Sequence, residues 1–274
     1  MIIDGRKIAE EIKSDLKIEV ANLNKKLRLA VVYVGDNSAS AKFIERKKKF
    51  GDEIGIDVRV YKFPKDISTN QLRKKIAEIV HIKQNTGVII QLPLPPQINT
   101  QYILNSVPTE KDPDMLSARS IGNFATGKAD ILPPVVCAIK AIFEKYKIDY
   151  KNKFIVLLGA GNLVGKPAAI WLLNEKATFN VVRSKTQNPE EFLKKADIII
   201  SGIGKPKFIT GDMVKDGVII IDAGTSESEG KLSGDADFDS VSVKASHITP
   251  VPGGVGPITV AMLFQNLVNL AKER

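Results

Sequence analysis

Lys153-Phe154-Ile155-Val156-Leu157-Leu158-Gly159-Ala160-Gly161-Asn162-Leu163-Val164-Gly165-Lys166-Pro167 reads as a strand, a glycine-rich turn and the start of a helix. Glycines at 159, 161 and 165 give the spacing G-x-G-x-x-x-G, one residue off the usual dinucleotide fingerprint. Gly159 and Gly161 permit a tight turn. The helix start then directs free N–H groups and the positive dipole end at a pyrophosphate. Alone this is a weak signal, and a strand-to-helix turn without a ligand is the plainer alternative.

The same alternation runs outward from this stretch. Strand-like runs lie near 153–158, 178–182, 197–201 and 218–221. Upstream, runs near 29–34, 57–62 and 87–90 are separated by helical patterns at 38–54 and 69–83. Further helical patterns occupy 6–27, 100–106, 134–147 and 257–272, and a polar stretch covers 108–132. Strands alternating with helices predict parallel sheets with right-handed crossovers, so the fold class is α/β with two domains, the later one Rossmann-like. No internal repeat or low-complexity segment interrupts this.

At 274 residues the chain is long enough for two modest cores. No apolar stretch approaches a membrane span. The start, Met1 to Lys7, lacks the apolar core of a signal peptide, which predicts a cytoplasmic protein without membrane contact. Cys137 is the sole cysteine, and His81 and His247 are the only histidines. No metal site is therefore expected, and proton chemistry falls to Lys, Asp or water. The net charge of +9 suits small anionic ligands or a lysine-rich surface. Aromatics are few and do not interleave with basic residues, so nucleic acid is not expected as a partner.

Three segments outside the glycine turn carry chemistry. In Ser40-Ala41-Lys42-Phe43-Ile44-Glu45-Arg46-Lys47, helical spacing puts Ser40, Phe43, Ile44 and Lys47 on one face. Gln91-Leu92-Pro93-Leu94-Pro95 follows the buried-strand pattern Gly87 to Ile90. Gln91 is thus placed at a strand's carboxyl end, where open α/β sheets bind ligands. Thr249 to Leu263 packs three prolines and three glycines between Pro250 and Pro257 before an apolar helix. Such a loop is stiff yet sterically open.

Together these segments resemble the bifunctional methylenetetrahydrofolate dehydrogenase/methenyltetrahydrofolate cyclohydrolase family. Its patterns are Val-Gly-x-x-x-x-Ser-x-x-Tyr-x-x-x-Lys, Gln-Leu-Pro-Leu-Pro and Pro-Gly-Gly-Val-Gly-Pro-x-Thr. They fall here at Val34 to Lys47, Gln91 to Pro95 and Pro252 to Thr259, in that order. The resemblance spans essentially the whole chain. It implies oxidation of 5,10-methylenetetrahydrofolate with NADP, then hydrolysis of the methenyl product to 10-formyltetrahydrofolate. It implies a folate-binding domain at 1–135 joined by a returning C-terminal helix, 257–274, and an NADP-binding domain at 136–256. Lys47, Gln91 and Asp114 become the catalytic set. Ser40, Phe43, Leu92, Pro93, Pro252, Gly253 and Gly254 become the folate contacts. Gly159, Ala160, Gly161, Asn162, Arg183, Ser184, Gly202 and Thr225 become the cofactor contacts. Partners implied are tetrahydrofolate derivatives, with polyglutamylation left open, and a second copy in a homodimer.

Departures from the family pattern are specific. Phe43 stands for a tyrosine, Gly161 for a serine, and Lys111-Asp112-Pro113-Asp114-Met115 for Lys-Asp-Val-Asp-Gly. Pro113 and Met115 are expected to alter the local backbone. Pro133-Pro134-Val135-Val136 replaces Pro-Cys-Thr-Pro. These keep open a dehydrogenase with weak cyclohydrolase activity, and more remotely a non-catalytic nucleotide- or nucleic-acid-binding protein. After the strand at 178–182, NAD-specific folds place an acid on the ribose. Arg183-Ser184-Lys185 stands there instead, and an arginine fork suits a 2′-phosphate.

Overall fold

The structure, a computed structural model, describes residues 1–23, 25–228 and 231–272. In chain order the elements begin with α1 (Gly5–Asn22), β1 (Arg28–Val34), α2 (Ser38–Ile54), β2 (Asp57–Phe63), α3 (Thr69–His81) and β3 (Gly87–Ile90). Then come α4 (Thr100–Leu104), α5 (Ala118–Ala125), α6 (Pro134–Lys145), β4 (Ile155–Leu158), α7 (Gly165–Asn174), β5 (Phe179–Val182) and α8 (Pro189–Lys195). The chain continues through β6 (Ile198–Ser201), β7 (Ile219–Asp222), β8 (Ser226–Ser228), β9 (Lys231–Ser233), α9 (Phe238–Ser242), β10 (His247–Ile248) and α10 (Val255–Lys272). No helix among the described residues is long and apolar enough to cross a membrane.

The chain divides into two compact units. Glu11–Pro134 and the chain from Val260 onward form the first; Met1–Glu10 and Val135–Thr259 form the second. The C-terminal helix thus contributes most of its length to the first unit. One stretch differs from the sequence division, which put 1–135 together. Met1–Glu10 belongs with the second unit because Ile3 N–H donates to the Ile248 carbonyl at 2.8 Å, and Ile248 N–H to that of Met1 at 3.1 Å. The two-residue β10 gives no periodic signal, so this pairing was not readable from pattern.

The first unit is a parallel sheet in the order β2-β1-β3. Central β1 is buried on both faces, which is why it reads as a continuous apolar run. Leu29, Val31 and Tyr33 join a cluster with Leu16, Ile44, Phe264 and Leu267. Ala30, Val32 and Val34 join another with Leu72, Ile76 and Ile103. Each large apolar side chain so buried contributes roughly 1.5–3 kcal/mol. Phe264 of α10 stacks on Phe50 of α2 with centroids 5.1 Å apart, fixing the returning helix to the unit.

The second unit is a five-stranded parallel sheet in the order β10-β7-β6-β4-β5, with β8 and β9 as an antiparallel hairpin beside it. Strand β4 has its successor β5 on one side and β6 on the other. The topological switch therefore lies between the carboxyl ends of β4 and β6, where open sheets form their ligand crevice.

Candidate active site

In the first unit, the carboxyl end of β3 gathers the chemistry. Gln91 N–H donates to the Val32 carbonyl at 2.9 Å, so Gln91 continues the β1–β3 ladder by one residue before the prolines stop it. Helix α2 is started by Asn37, whose side chain accepts from Ser40 N–H at 2.8 Å. Left-handed Gly55 (φ 81°) ends it. Its inward face buries Ser40 and Ile44, and Lys47 lies on that face. Lys47 Nζ donates to Gln91 Oε1 at 2.8 Å. Gln91 Nε2 donates to the Leu92 carbonyl at 2.8 Å, which fixes the amide so that its oxygen faces the lysine. Ser40 Oγ donates to the same carbonyl at 3.4 Å.

The electrostatics of this corner are set by enclosure. Burial of the amine pushes Lys47 below the ordinary lysine value of 10.5, and the Asp114 charge partly offsets the shift. Asp114 is raised to about 6, chiefly by burial, with Lys47 lowering it and Asp112 raising it. Among the described residues the Asp114 carboxylate accepts no hydrogen bond. Its oxygens are therefore available to a ligand's N–H groups. Phe43 is half-buried, with the Arg46 guanidinium 5.6 Å from its ring centre. Leu92 is half-buried and Pro93 exposed.

The loop that carries Asp114 is built by residues the sequence reading did not single out. Asp112, 3% exposed, accepts from Ser117 N–H at 3.0 Å, Ser120 Oγ at 2.7 Å and Leu116 N–H at 3.4 Å. Burial raises its carboxyl, and these bonds oppose the rise. Asn266 of α10, also buried, donates through Nδ2 to the Pro113 carbonyl at 2.9 Å and the Leu132 carbonyl at 2.8 Å. The signal for Asn266 was present: a polar residue on the inward face of an apolar helix needs partners. Met115 was expected to alter the backbone. It sits at φ 57°, the left-handed region glycine adopts freely, so this conformation is held without a glycine. That costs about 1–2 kcal/mol. The side chain, 3% exposed, offsets it by burying roughly 1.5–3 kcal/mol of apolar surface.

In the second unit, the quoted stretch resolves into β4, an open turn and α7. Gly159 has φ 102°, and its N–H donates to the Val182 carbonyl at 2.8 Å. A Cβ on Gly165 would overlap the Gly159 carbonyl, and one on Gly202 would overlap the Val164 side chain. The turn after β4 and the loop after β6 therefore touch at the switch point. Gly161 faces open space, and Ala160, Gly161 and Asn162 are exposed. Val164, preceding α7, gives no side-chain cap; Lys166 N–H is taken by the Gly161 carbonyl at 2.9 Å and Pro167 has no N–H, so the Gly165 N–H is the first-turn donor that remains for a ligand. Leu158 pairs with Val182, which puts Arg183 beside the turn. Arg183 and Ser184 are exposed, and the backbone of Arg183 is fixed by Thr186 Oγ1 at 2.9 Å. Thr225 is exposed beyond β7. An open Gly161, the free Gly165 N–H at the helix start and an adjacent arginine fit a phosphorylated dinucleotide. Asp222, at the end of β7, is raised to about 6, mainly by burial.

Pro252, Gly253 and Gly254 also lie in the second unit. Gly253 has φ 112°, and a Cβ on Gly5 would overlap the Gly254 carbonyl. Gly5 thus lets α1's first turn approach Gly254, and the missing Cβ of Gly254 leaves room for Thr249 and the Pro250 carbonyl.

The family model described as tetrahydrofolate dehydrogenase/cyclohydrolase, catalytic domain, matches residues 3–114. The corresponding NAD(P)-binding domain matches 133–274. The "Bifunctional protein FolD" of Nautilia profundicola is 44% identical over 276 residues, covering 99% of this chain and 97% of that protein. That of Fusobacterium nucleatum is 42% identical over 277 residues, covering 99% and 98%. The solved FolD structure from Campylobacter jejuni is similar at a TM-score of 0.96 and 39% identity, covering 100% of this chain and 99% of that one. The FolD of Trypanosoma brucei, complexed with NADP and an inhibitor, gives 0.94 at 30% identity, covering 100% and 97%.

Proposed function

The chain belongs to the tetrahydrofolate dehydrogenase/cyclohydrolase family, and from that premise we propose that Lys47, Gln91 and Asp114 carry its chemistry. The enzyme oxidises 5,10-methylenetetrahydrofolate to the methenyl form with NADP and hydrolyses that product to 10-formyltetrahydrofolate. The observation that carries the residue assignment is the Lys47–Gln91 hydrogen bond in an enclosed corner beside Asp114.

The Gly159–Asn162 turn, Gly202, Arg183, Ser184 and Thr225 would hold NADP, which would supply the hydride acceptor for the methylene carbon. Ionised Asp114 accepts hydrogen bonds from the pterin's amide-like edge, and Phe43 offers a face for stacking. Ser40, Leu92 and Pro93 line the folate. In the hydrolytic step, neutral Lys47 takes a proton from the attacking water as the C–O bond forms. It returns that proton to the ring nitrogen as the C–N bond breaks, while the added hydroxyl loses its own proton to solvent as the formyl C=O forms. Burial suits Lys47 to this exchange by bringing its pKa toward the operating pH. Gln91 accepts from the amine and keeps it aimed.

Three finer readings extend this. The partner is a second copy docked through the second unit, where edge strand β5 exposes Val181 and neighbouring α7 exposes Leu173. The compartment is the cytoplasm, and polyglutamylated folates are accepted as substrates. The test supplies methylenetetrahydrofolate with NADP and follows reduced nicotinamide and methenyl absorbance together. Nicotinamide reduction without lasting methenyl accumulation is expected. Methenyl product accumulating one for one with reduced nicotinamide would leave a dehydrogenase alone.

A further inference from the structure

The loop after β6, Ser201-Gly202-Ile203-Gly204-Lys205, is held by one carboxylate from outside it. Asp235 follows β9 and is wholly buried. Its Oδ2 accepts from Ser201 Oγ at 2.6 Å and from Ile203 N–H at 2.8 Å. Its Oδ1 accepts from Lys205 N–H at 2.9 Å. The three donors flank Gly202 on both sides. Ile203 in turn abuts the dinucleotide turn, since a Cβ on Gly159 would lie 2.8 Å from Ile203 Cγ2. Gly224 leaves room for the carboxylate, since a Cβ there would overlap it.

We infer that Asp235 is a positioning residue of the cofactor site, fixing the loop that forms the β6 wall of the dinucleotide crevice. The inference rests on the NADP-site reading above. Three donors need an acceptor-only group, and an ionised carboxylate is the side chain that fits. An asparagine of the same shape turns an NH2 toward at least one of those donors, leaving it unpaired in a buried place. The loop then moves relative to the Gly159 turn, while the first-unit residues that handle the folate are untouched.

The two activities separate this role from general stability, because hydrolysis of methenyltetrahydrofolate consumes no cofactor. Asp235→Asn is expected to raise the KM for NADP about 10- to 100-fold, the equivalent of one lost charge-assisted bond. NADP-independent hydrolysis should stay within about twofold of the parent, because no contact to the folate changes. Ser201→Ala removes a single donor and should raise the NADP KM about threefold with hydrolysis intact. An unchanged NADP KM overturns the inference, as does an equal fall of both activities with a lowered melting temperature. If Asp235→Asn does not fold, Ser201→Ala decides alone by the same two readouts. A parent enzyme that fails to reduce NADP would instead sink the underlying site reading.

Discussion

At the carboxyl end of β3, the proposed working groups are side chains from three separate segments: Lys47 from α2, Gln91 just past the strand and Asp114 from the loop before α5. At the carboxyl end of β4, the proposed working groups are mostly backbone, left open at Gly161 and the Gly165 N–H, with Arg183 at the margin. The first corner encloses charge, so burial shifts Lys47 down and Asp114 up. The second leaves Arg183 and Ser184 in solvent. Enclosed ionisable groups can move protons, whereas exposed donors and glycines can only bind and orient. Substitutions should therefore change the chemical step in the first corner and affinity in the second.

The largest expected effect is on hydrolysis. Lys47→Met keeps the apolar stem and removes the titrating amine. Methenyl hydrolysis should fall about 10²–10⁴-fold, the usual worth of acid–base catalysis, while NADP reduction persists. Lys48→Met and Lys49→Met, on other faces of α2, should change little. Equal loss of both activities would break the division of labour.

A smaller effect is expected at Asp114. Asp114→Asn should raise the KM for the folate about 10- to 100-fold, since it swaps a charged acceptor for a neutral amide. In the parent, this KM should rise as the pH falls below about 6, where Asp114 takes up a proton. The sign for stability is the reverse. The folded state holds that proton more tightly than the unfolded chain, so this group's contribution to stability declines as pH rises from the ordinary carboxylate range to about 6. Asp114→Asn should flatten both dependences in steady-state kinetics and in denaturant titrations. A folate KM that still rises below pH 6 in the variant would assign the titration elsewhere.

The smallest effect sharpens the comparison from the cofactor side. Arg183→Ala should raise the KM for NADP about tenfold, as one arginine–phosphate contact is worth. The KM for NAD and the rate of hydrolysis should hold. Equal change for both cofactors would remove the 2′-phosphate assignment.

How far the fold was legible follows the same contrast. Strands β1, β3, β4 and β6 were readable because burial on both faces makes them unbroken apolar runs. The pairing of Ile2 and Ile3 with β10 was not, because two residues carry no period. Helix α5 was missed within a polar stretch, since what fixes it is a buried network of Asp112, Ser117 and Ser120 that exists only after folding. Lys47 and Gln91 were legible through their motifs. Asn266 and Asp235 act through other residues, and nothing in linear spacing shows which carbonyl or N–H they will reach.

The most direct measurement is the pH profile of NADP-independent methenyl hydrolysis, corrected for the uncatalysed rate, in the parent and in Lys47→Met. The parent rate should climb as Lys47 loses its proton and level off well below the ordinary lysine value of 10.5. The residual rate of the variant should lack that ionisation. The same rising limb in both proteins would show that Lys47 does not carry the proton, and would contradict the account.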